Sequence, residues 1–136
     1  MNDREKVVID TNILVSALWS DNGNSATIIK MIPSSIIPIF NDSIFNEYAE
    51  VLNRPKFAFS SDKRESLLAK IKEFGETDTP EKSDIPISDE TDRIFLDTAM
   101  ANGATLITGN KKDYPDKPFI VTPAEFLHRL SKGTAI

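Results

Sequence analysis

Residues 6–15 read Lys-Val-Val-Ile-Asp-Thr-Asn-Ile-Leu-Val, and the interpretation of the whole chain starts from this stretch. The apolar run before Asp10 is short, rich in β-branched residues and bounded by polar residues, which predicts a buried strand. The residues after Asp10 predict a helix. Asp10 therefore stands at the carboxyl end of a strand, which is where ligands bind in open α/β sheets. A single acid in this position is more often a helix cap than a ligand, so its role depends on other residues.

Strand-like and helix-like segments alternate along the rest of the chain. Short apolar runs predict further strands at 36–40, 104–108 and 119–121. Apolar periodicity and capping residues predict helices at about 13–18, 25–31, 43–53, 60–74, 89–102 and 122–127. This order predicts a three-layer α/β/α sandwich with a mostly parallel central sheet.

Two segments depart from this regular pattern. Pro38 has no N–H to donate, so the strand at 36–40 is expected at an edge or to be irregular. Residues 76–88 are rich in Pro, Asp and Ser, which predicts an irregular connection.

The bulk properties narrow the class of protein. A chain of 136 residues with 40% hydrophobic and 27% charged residues predicts one globular domain spanning 1–136. The lack of Cys excludes disulfides and thiolate metal sites. No apolar run is long enough for a membrane span and Met1–Glu5 does not look like a signal peptide, so we expect a cytoplasmic protein. The net charge of −5 argues against non-specific nucleic-acid binding, but not against a metal-dependent enzyme that acts on nucleic acid.

Further polar side chains occupy positions where the pattern makes them unusual. Glu47 lies at the border of the apolar face of its predicted helix, and Asp92 falls within the apolar face of its own. Asn110 and Asp113 follow a predicted strand, as Asp10 does, so they are expected on the same rim of the sheet. An unpaired inward-facing charge is costly, so these acids require a compensating cation.

Mg²⁺ or Mn²⁺ is the cation that suits these residues. Both are hard ions that prefer carboxylate oxygen and water, and the basic residues of the chain fall mostly on outward positions or loops. The single histidine, His128, lies near the end of the last predicted helix, which disfavours a zinc site and a Ser-His-Asp triad. Each acid alone has an ordinary interpretation as a cap, surface acid or turn residue, and only their combination indicates a metal site.

The same residues carry a resemblance to the PIN-domain nucleases. The stretch 8–18 resembles the opening motif of that family, and 92–99 with 103–110 match its third and fourth motifs. The stretches 43–57 and 122–127 resemble the second motif and the ending of the branch that contains toxins of toxin–antitoxin systems. The resemblance covers nearly the whole chain, and it lies in all of the motifs occurring in order.

The resemblance implies metal-dependent cleavage of RNA phosphodiester bonds. Asp10, Glu47 and Asp92 match the three acidic positions of the metal site. The fourth acidic position of many members is Asn110 here, so the resemblance implies a site for one metal ion or for two. Asn110 still offers a carbonyl oxygen to a metal ion or a hydrogen bond to a metal-bound water. Asp113 is the candidate to supply the negative charge that the fourth acid carries in other members.

Other polar residues of the motifs are candidates for contact with the substrate. Three are expected to orient metal ligands or the scissile phosphate, namely Asn12, Ser16 and Thr108. Four basic residues are expected to guide the RNA backbone, although each is also an ordinary solvated loop residue: Arg54, Lys56, Lys111 and Lys112.

The sequence therefore predicts a small Mg²⁺- or Mn²⁺-dependent ribonuclease. The resemblance further implies the toxin of a toxin–antitoxin pair, covered by an antitoxin, and by analogy with dimeric relatives a homodimer. One alternative keeps the metal site but assigns DNA or a housekeeping RNA as substrate, with no antitoxin. Another, motivated by Asn110, is a catalytically weak module that binds nucleic acid or protein.

Overall fold

A computed structural model describes residues 4–134, which form a five-stranded parallel sheet with helices around it. The strands are β1 (Glu5–Ile9), β2 (Ile36–Phe40), β3 (Glu76–Thr77), β4 (Thr105–Ile107) and β5 (Ile120–Val121). The helices are α1 (Thr11–Trp19), α2 (Asn24–Lys30), α3 (Asp42–Leu52), α4 (Ser61–Phe74), α5 (Arg93–Asn102) and α6 (Pro123–Thr134). None of these helices is both long and apolar enough to cross a membrane.

β1 is the central strand of the sheet, whose order is β3-β2-β1-β4-β5. It pairs in parallel with β2 on one side and with β4 on the other, where Ile9 lies opposite Ile107. Val7, Val8 and Ile9 are fully buried. Because successive strand residues point to opposite faces, both faces of β1 must be covered. The predicted three-layer α/β/α fold is therefore confirmed.

The strand order reverses beside β1. The chain passes from β1 outward through β2 to β3, then crosses back through α5, which packs against β1, β2 and β4. The carboxyl ends of β1 and β4 consequently flank a topological switch point, the place where open α/β sheets leave a crevice for ligands. Asp10 follows β1 and Thr108 follows β4 directly at this crevice.

The expected edge position of the Pro38 strand is wrong. β2 lies between β1 and β3, and all five of its residues are buried. The pairing with β3 begins only after the proline, at Ile39 opposite Glu76 and Phe40 opposite Thr77, so the missing N–H of Pro38 interrupts no bond to β3. The segment predicted to be irregular thus opens with a two-residue strand, which is too short to show a periodic pattern.

Helical periodicity places Asp97 on the polar, outward side of α5, and this expectation is wrong. Asp97 is only 4% exposed, and its Oδ2 accepts a hydrogen bond of 2.9 Å from the backbone N–H of Ser83. Arg93, one turn earlier on α5, donates to the carbonyl oxygens of Ser83 and Ile85. The long connection before α5 folds back over this face, which helical periodicity cannot reveal.

Gly75, between α4 and β3, offers a test of this packing. A Cβ at this position would lie 2.6 Å from the carbonyl oxygen of Ile71 and 2.7 Å from that of Pro38. Neither backbone atom can move cheaply, so Gly75→Ala is expected to lower the free energy of unfolding by about 1–3 kcal/mol. Urea denaturation measures the loss. Gly23→Ala is the control, since the nearest atom to its Cβ would be Ser20 Oγ at 3.5 Å; equal losses in the two variants would contradict the packing.

Candidate active site

Asp10 is held by two side chains that donate to the same carboxylate oxygen. Its Oδ2 accepts hydrogen bonds from Thr108 Oγ1 at 2.8 Å and from the Tyr114 hydroxyl at 2.9 Å. Asp10 occupies the N-cap position of α1, but no N–H group of the first turn has the geometry of a cap hydrogen bond to its side chain, so capping alone does not explain it. Burial raises the pKa of Asp10, while the two donors and the backbone N–H groups of Thr11 and Asn12 oppose that rise. These donors favour the ionised carboxylate.

Tyr114 was missed by the sequence analysis. It follows a short 3-10 turn at Lys111–Asp113 and is only 6% exposed. Burial and the nearby charges of Asp10 and Asp92 raise the pKa of its hydroxyl well above the ordinary value, so Tyr114 remains a proton donor. The one signal in the sequence that could have identified Tyr114 is an aromatic residue within the otherwise polar stretch after β4.

The loops after β1 and β4 are joined by further hydrogen bonds. Thr108 Oγ1 accepts from the backbone N–H of Asn110 at 3.0 Å, in addition to donating to Asp10. Asn12 Oδ1 accepts from the backbone N–H of Gly109, also at 3.0 Å. Asn12 and Thr108, predicted to orient ligands, therefore lie in the network that shapes the crevice. The Asn110 side chain itself is exposed.

Ser16, the third residue predicted to orient ligands, lies further from this network. It is exposed on α1, more than one turn beyond Asp10. It lines a cavity together with Gly109 and residues 122–124. The structure therefore brings Ser16 to the flank of the loop after β4 and not into the hydrogen bonds around Asp10.

Glu47 is positioned by contacts at the start of α1. Its Oε2 accepts a hydrogen bond from the hydroxyl of Thr11, the residue next to Asp10. The neighbouring Tyr48 anchors α3, because its hydroxyl donates to the carbonyl oxygen of Ile9 at 2.5 Å. Burial raises the pKa of Glu47, the Thr11 hydrogen bond opposes this, and the charge of Asp10 raises it further. The two carboxylates are therefore electrostatic neighbours.

Asp92 lies in the same region and comes from the start of α5. It ends a 3-10 turn at Glu90–Asp92 and is the N-cap residue of α5, where the sequence predicted a position within one continuous helix. It is half-buried. Its pKa is raised to about 7 by burial and then by the surrounding carboxylates, which in decreasing order are those of Asp10, Asp89, Glu47 and Asp113.

These acids fit a hard divalent cation by their donor type. Carboxylate oxygen is the donor that Mg²⁺ and Mn²⁺ prefer, and four side chains offer it: Asp10, Glu47, Asp92 and Asp113. When they are ionised, the other three carboxylates repel that of Asp92. Their present arrangement is not a finished coordination shell, because no group of three Asp, Glu or His side chains within residues 4–134 is arranged as a metal site.

Two of the four basic residues predicted to meet an RNA backbone form ion pairs at the surface. Arg54 donates to both carboxylate oxygens of Glu50, at 2.8 and 2.9 Å, and Lys111 lies 3.1 Å from Glu125. Exposed pairs of this kind contribute little to stability, so both cations can exchange a carboxylate for a phosphate at low cost. The remaining two are exposed: Lys56 and Lys112.

Comparison with known proteins identifies one family. Residues 6–112, most of the chain, match the family model described as PIN domain. A search of curated proteins gave no match. The solved structure of VapBC2 from Rickettsia felis, bound to a DNA fragment from their promoter, is similar with a TM-score of 0.49 and 17% identity. That match covers 86% of this chain and 96% of that chain.

Proposed function

Because the chain belongs to the PIN-domain family, we propose that it is a nuclease that hydrolyses RNA phosphodiester bonds with Mg²⁺ or Mn²⁺. The supporting observation is that Asp10, Glu47 and Asp92 share one electrostatic environment at the switch point of the sheet. They come from three separate segments of the chain. Independent surface acids would rarely meet at the ligand-binding end of a central strand.

The protein's own groups prepare the site for this reaction. Asp10, Glu47 and Asp92 would hold a Mg²⁺ or Mn²⁺ ion, which would supply an activated water and neutralise charge on the phosphodiester. Thr108 and Tyr114 fix the orientation of the Asp10 carboxylate, and Thr11 fixes that of Glu47. A carboxylate that is already held in one orientation loses little conformational freedom when it binds an ion. Side chains that hydrogen-bond to metal ligands usually act in this way.

The experiment for this proposal compares cleavage in the presence of Mg²⁺, Mn²⁺ or EDTA. The substrates are one RNA sequence, the same sequence as DNA, and an RNA hairpin. We expect cleavage of RNA that needs the added cation and stops with EDTA. Cleavage that survives EDTA refutes the metal dependence, and exclusive cleavage of DNA refutes the substrate. No Mn²⁺ binding by calorimetry at millimolar concentration, together with no cleavage, identifies a catalytically weak binding module.

The toxin role and the antitoxin partner form a finer part of the proposal. They are supported by the resemblance of 43–57 and 122–127 to the toxin branch of the family. We expect a small reading frame beside this gene whose product co-purifies with the protein and inhibits the cleavage. A predicted homodimer is tested in the same preparation by sedimentation. Cleavage that is unaffected by the neighbouring product would leave a nuclease of RNA processing.

A further inference from the structure

A cluster of three aromatic side chains lies on the surface at the end of α1. Trp19, the only tryptophan of the chain, is 66% exposed. Its ring meets Phe57 edge to face with centroids 5.4 Å apart, and it meets Phe59 at 6.2 Å. Phe57 and Phe59 stack on each other with centroids 5.5 Å apart. We call these three residues the Trp19 cluster.

The exposure of Trp19 exceeds that of the other large apolar side chains at the surface. Phe74 and Met100 are each 39% exposed. A single exposed apolar residue is ordinary, but here two rings support the indole edge on and leave much of its surface open to solvent. A rigid exposed aromatic side chain of this kind binds other planar groups at a small entropic cost.

Two segments connect the Trp19 cluster to the acids of the site. α1 begins at Thr11, which contacts Glu47, and ends at Trp19. The eight steps along the helix from Thr11 to Trp19 rise about 12 Å, a distance that a few nucleotides of an open strand can span. α3 carries Glu47 and continues through residues 53–56 to Phe57. Both segments lead from the same carboxylates to the same rings.

Positive charge lies beside the rings. The Lys56 Nζ is 5.2 Å from the centroid of the Phe57 ring. Arg54 stands in the chain between α3 and Phe57, and its guanidinium is exposed and paired with the surface carboxylate of Glu50. A strand of nucleic acid needs this combination, because cations follow its phosphates and aromatic faces stack on its bases.

We propose that the Trp19 cluster binds an unpaired base of the substrate while Lys56 and Arg54 contact the adjoining phosphates. This inference rests on the proposed nuclease function and narrows its substrate to single-stranded nucleic acid near the cleaved bond. Paired bases are already stacked within a helix and cannot be inserted against the indole. Stacking tolerates every base, so it selects for an open strand and not for a sequence.

The tryptophan reports its own contacts, which gives a test that does not depend on cleavage. A short single-stranded RNA of mixed sequence is titrated in EDTA against intrinsic fluorescence, in parallel with the blunt duplex of the same sequence. We expect saturable quenching by the single strand and little by the duplex. Equal quenching by both, or none, overturns the stacking proposal. Cleavage without quenching rejects the cluster alone, whereas quenching without cleavage rejects the nuclease alone.

A double-mutant cycle locates the stacked base. Trp19→Ala is expected to lower kcat/KM for the single strand about 5- to 150-fold, and Trp19→Phe less. Substrates with one abasic nucleotide at successive positions should reproduce this loss at one position only, and there Trp19→Ala should add nothing further. Met100→Ala is the control for an exposed apolar side chain elsewhere. Additive losses at every position overturn the proposal.

A second copy of the chain is the competing occupant of the cluster. In that case the Trp19 emission changes with protein concentration in the absence of nucleic acid, and sedimentation shows dimers that Trp19→Ala dissociates. That result would overturn the base-stacking role. Emission independent of protein concentration, together with quenching by the single strand, supports it.

Discussion

Replacing Asp10 with Asn is expected to reduce kcat/KM for RNA cleavage by more than about 100-fold, because loss of a direct metal ligand costs more than loss of a residue that merely orients one. The substitution keeps the shape of the side chain and one oxygen able to accept from Thr108 and Tyr114. Burial raises the pKa of Asp10, so removing the charge relieves a desolvation cost and the variant should melt no earlier than the wild type at neutral pH. The loss then reflects chemistry and not unfolding.

A graded comparison checks that assignment. Tyr114→Phe removes one hydrogen bond of 2.9 Å to Asp10 but leaves the carboxylate in place. We expect a loss of about 10-fold in kcat/KM and a weaker Mn²⁺ affinity by calorimetry. Asp62→Asn, on the exposed side of α4, should change neither quantity. If Asp10→Asn loses no more activity than Tyr114→Phe, Asp10 is not the central ligand.

Asp92→Asn is expected to stabilise the metal-free protein at alkaline pH. Burial and the neighbouring carboxylates hold the folded-state pKa of Asp92 at about 7, above its unfolded value of 3.8. The folded protein therefore keeps a proton that the unfolded chain releases between about pH 4 and pH 7, and stability falls as pH rises through that window. Because the side chain is half-exposed and screened, we expect a gain of about 1–2 kcal/mol near pH 8.

The measurement is urea denaturation in EDTA at several pH values. The stabilities of wild type and Asp92→Asn should converge near pH 4 and separate towards pH 8, whereas Asp62→Asn should follow the wild-type profile. Added Mn²⁺ should stabilise the wild type at pH 8 more than the variant, since an ion that binds only the folded state raises its stability. A constant difference across the whole pH range would show that Asp92 does not titrate in this window.

The main features of the fold were predictable because they depend on local patterns. The apolar run before Asp10 reflects a strand that is buried on both faces. The helical periodicity of α3 and α5 reflects helices that each bury one face. β3 was not predictable, since a two-residue strand has no period and is defined only by its pairing with β2. The burial of Asp97 depends on the distant Ser83 folding over it, and no property of the helix carries that information.

The candidate site was predictable to a similar depth. Asp10 and Glu47 were singled out by strand end and helix face, and the structure places them beside each other through Thr11. Tyr114 was not singled out, because its role follows from the path of the loop after β4. Asp92 was expected within a helix, and the 3-10 turn before α5 instead makes it the N-cap residue.

The hydrogen bonds that hold Asp10 also impose an order on biosynthesis. Its two donors lie 98 and 104 residues further along the chain. A growing chain folds from its N-terminus as it emerges, and β1 cannot pair with β4 until most of the protein has been made. The network around Asp10 is therefore assembled late, and a partly synthesised chain on the ribosome lacks the donors that hold this carboxylate in place.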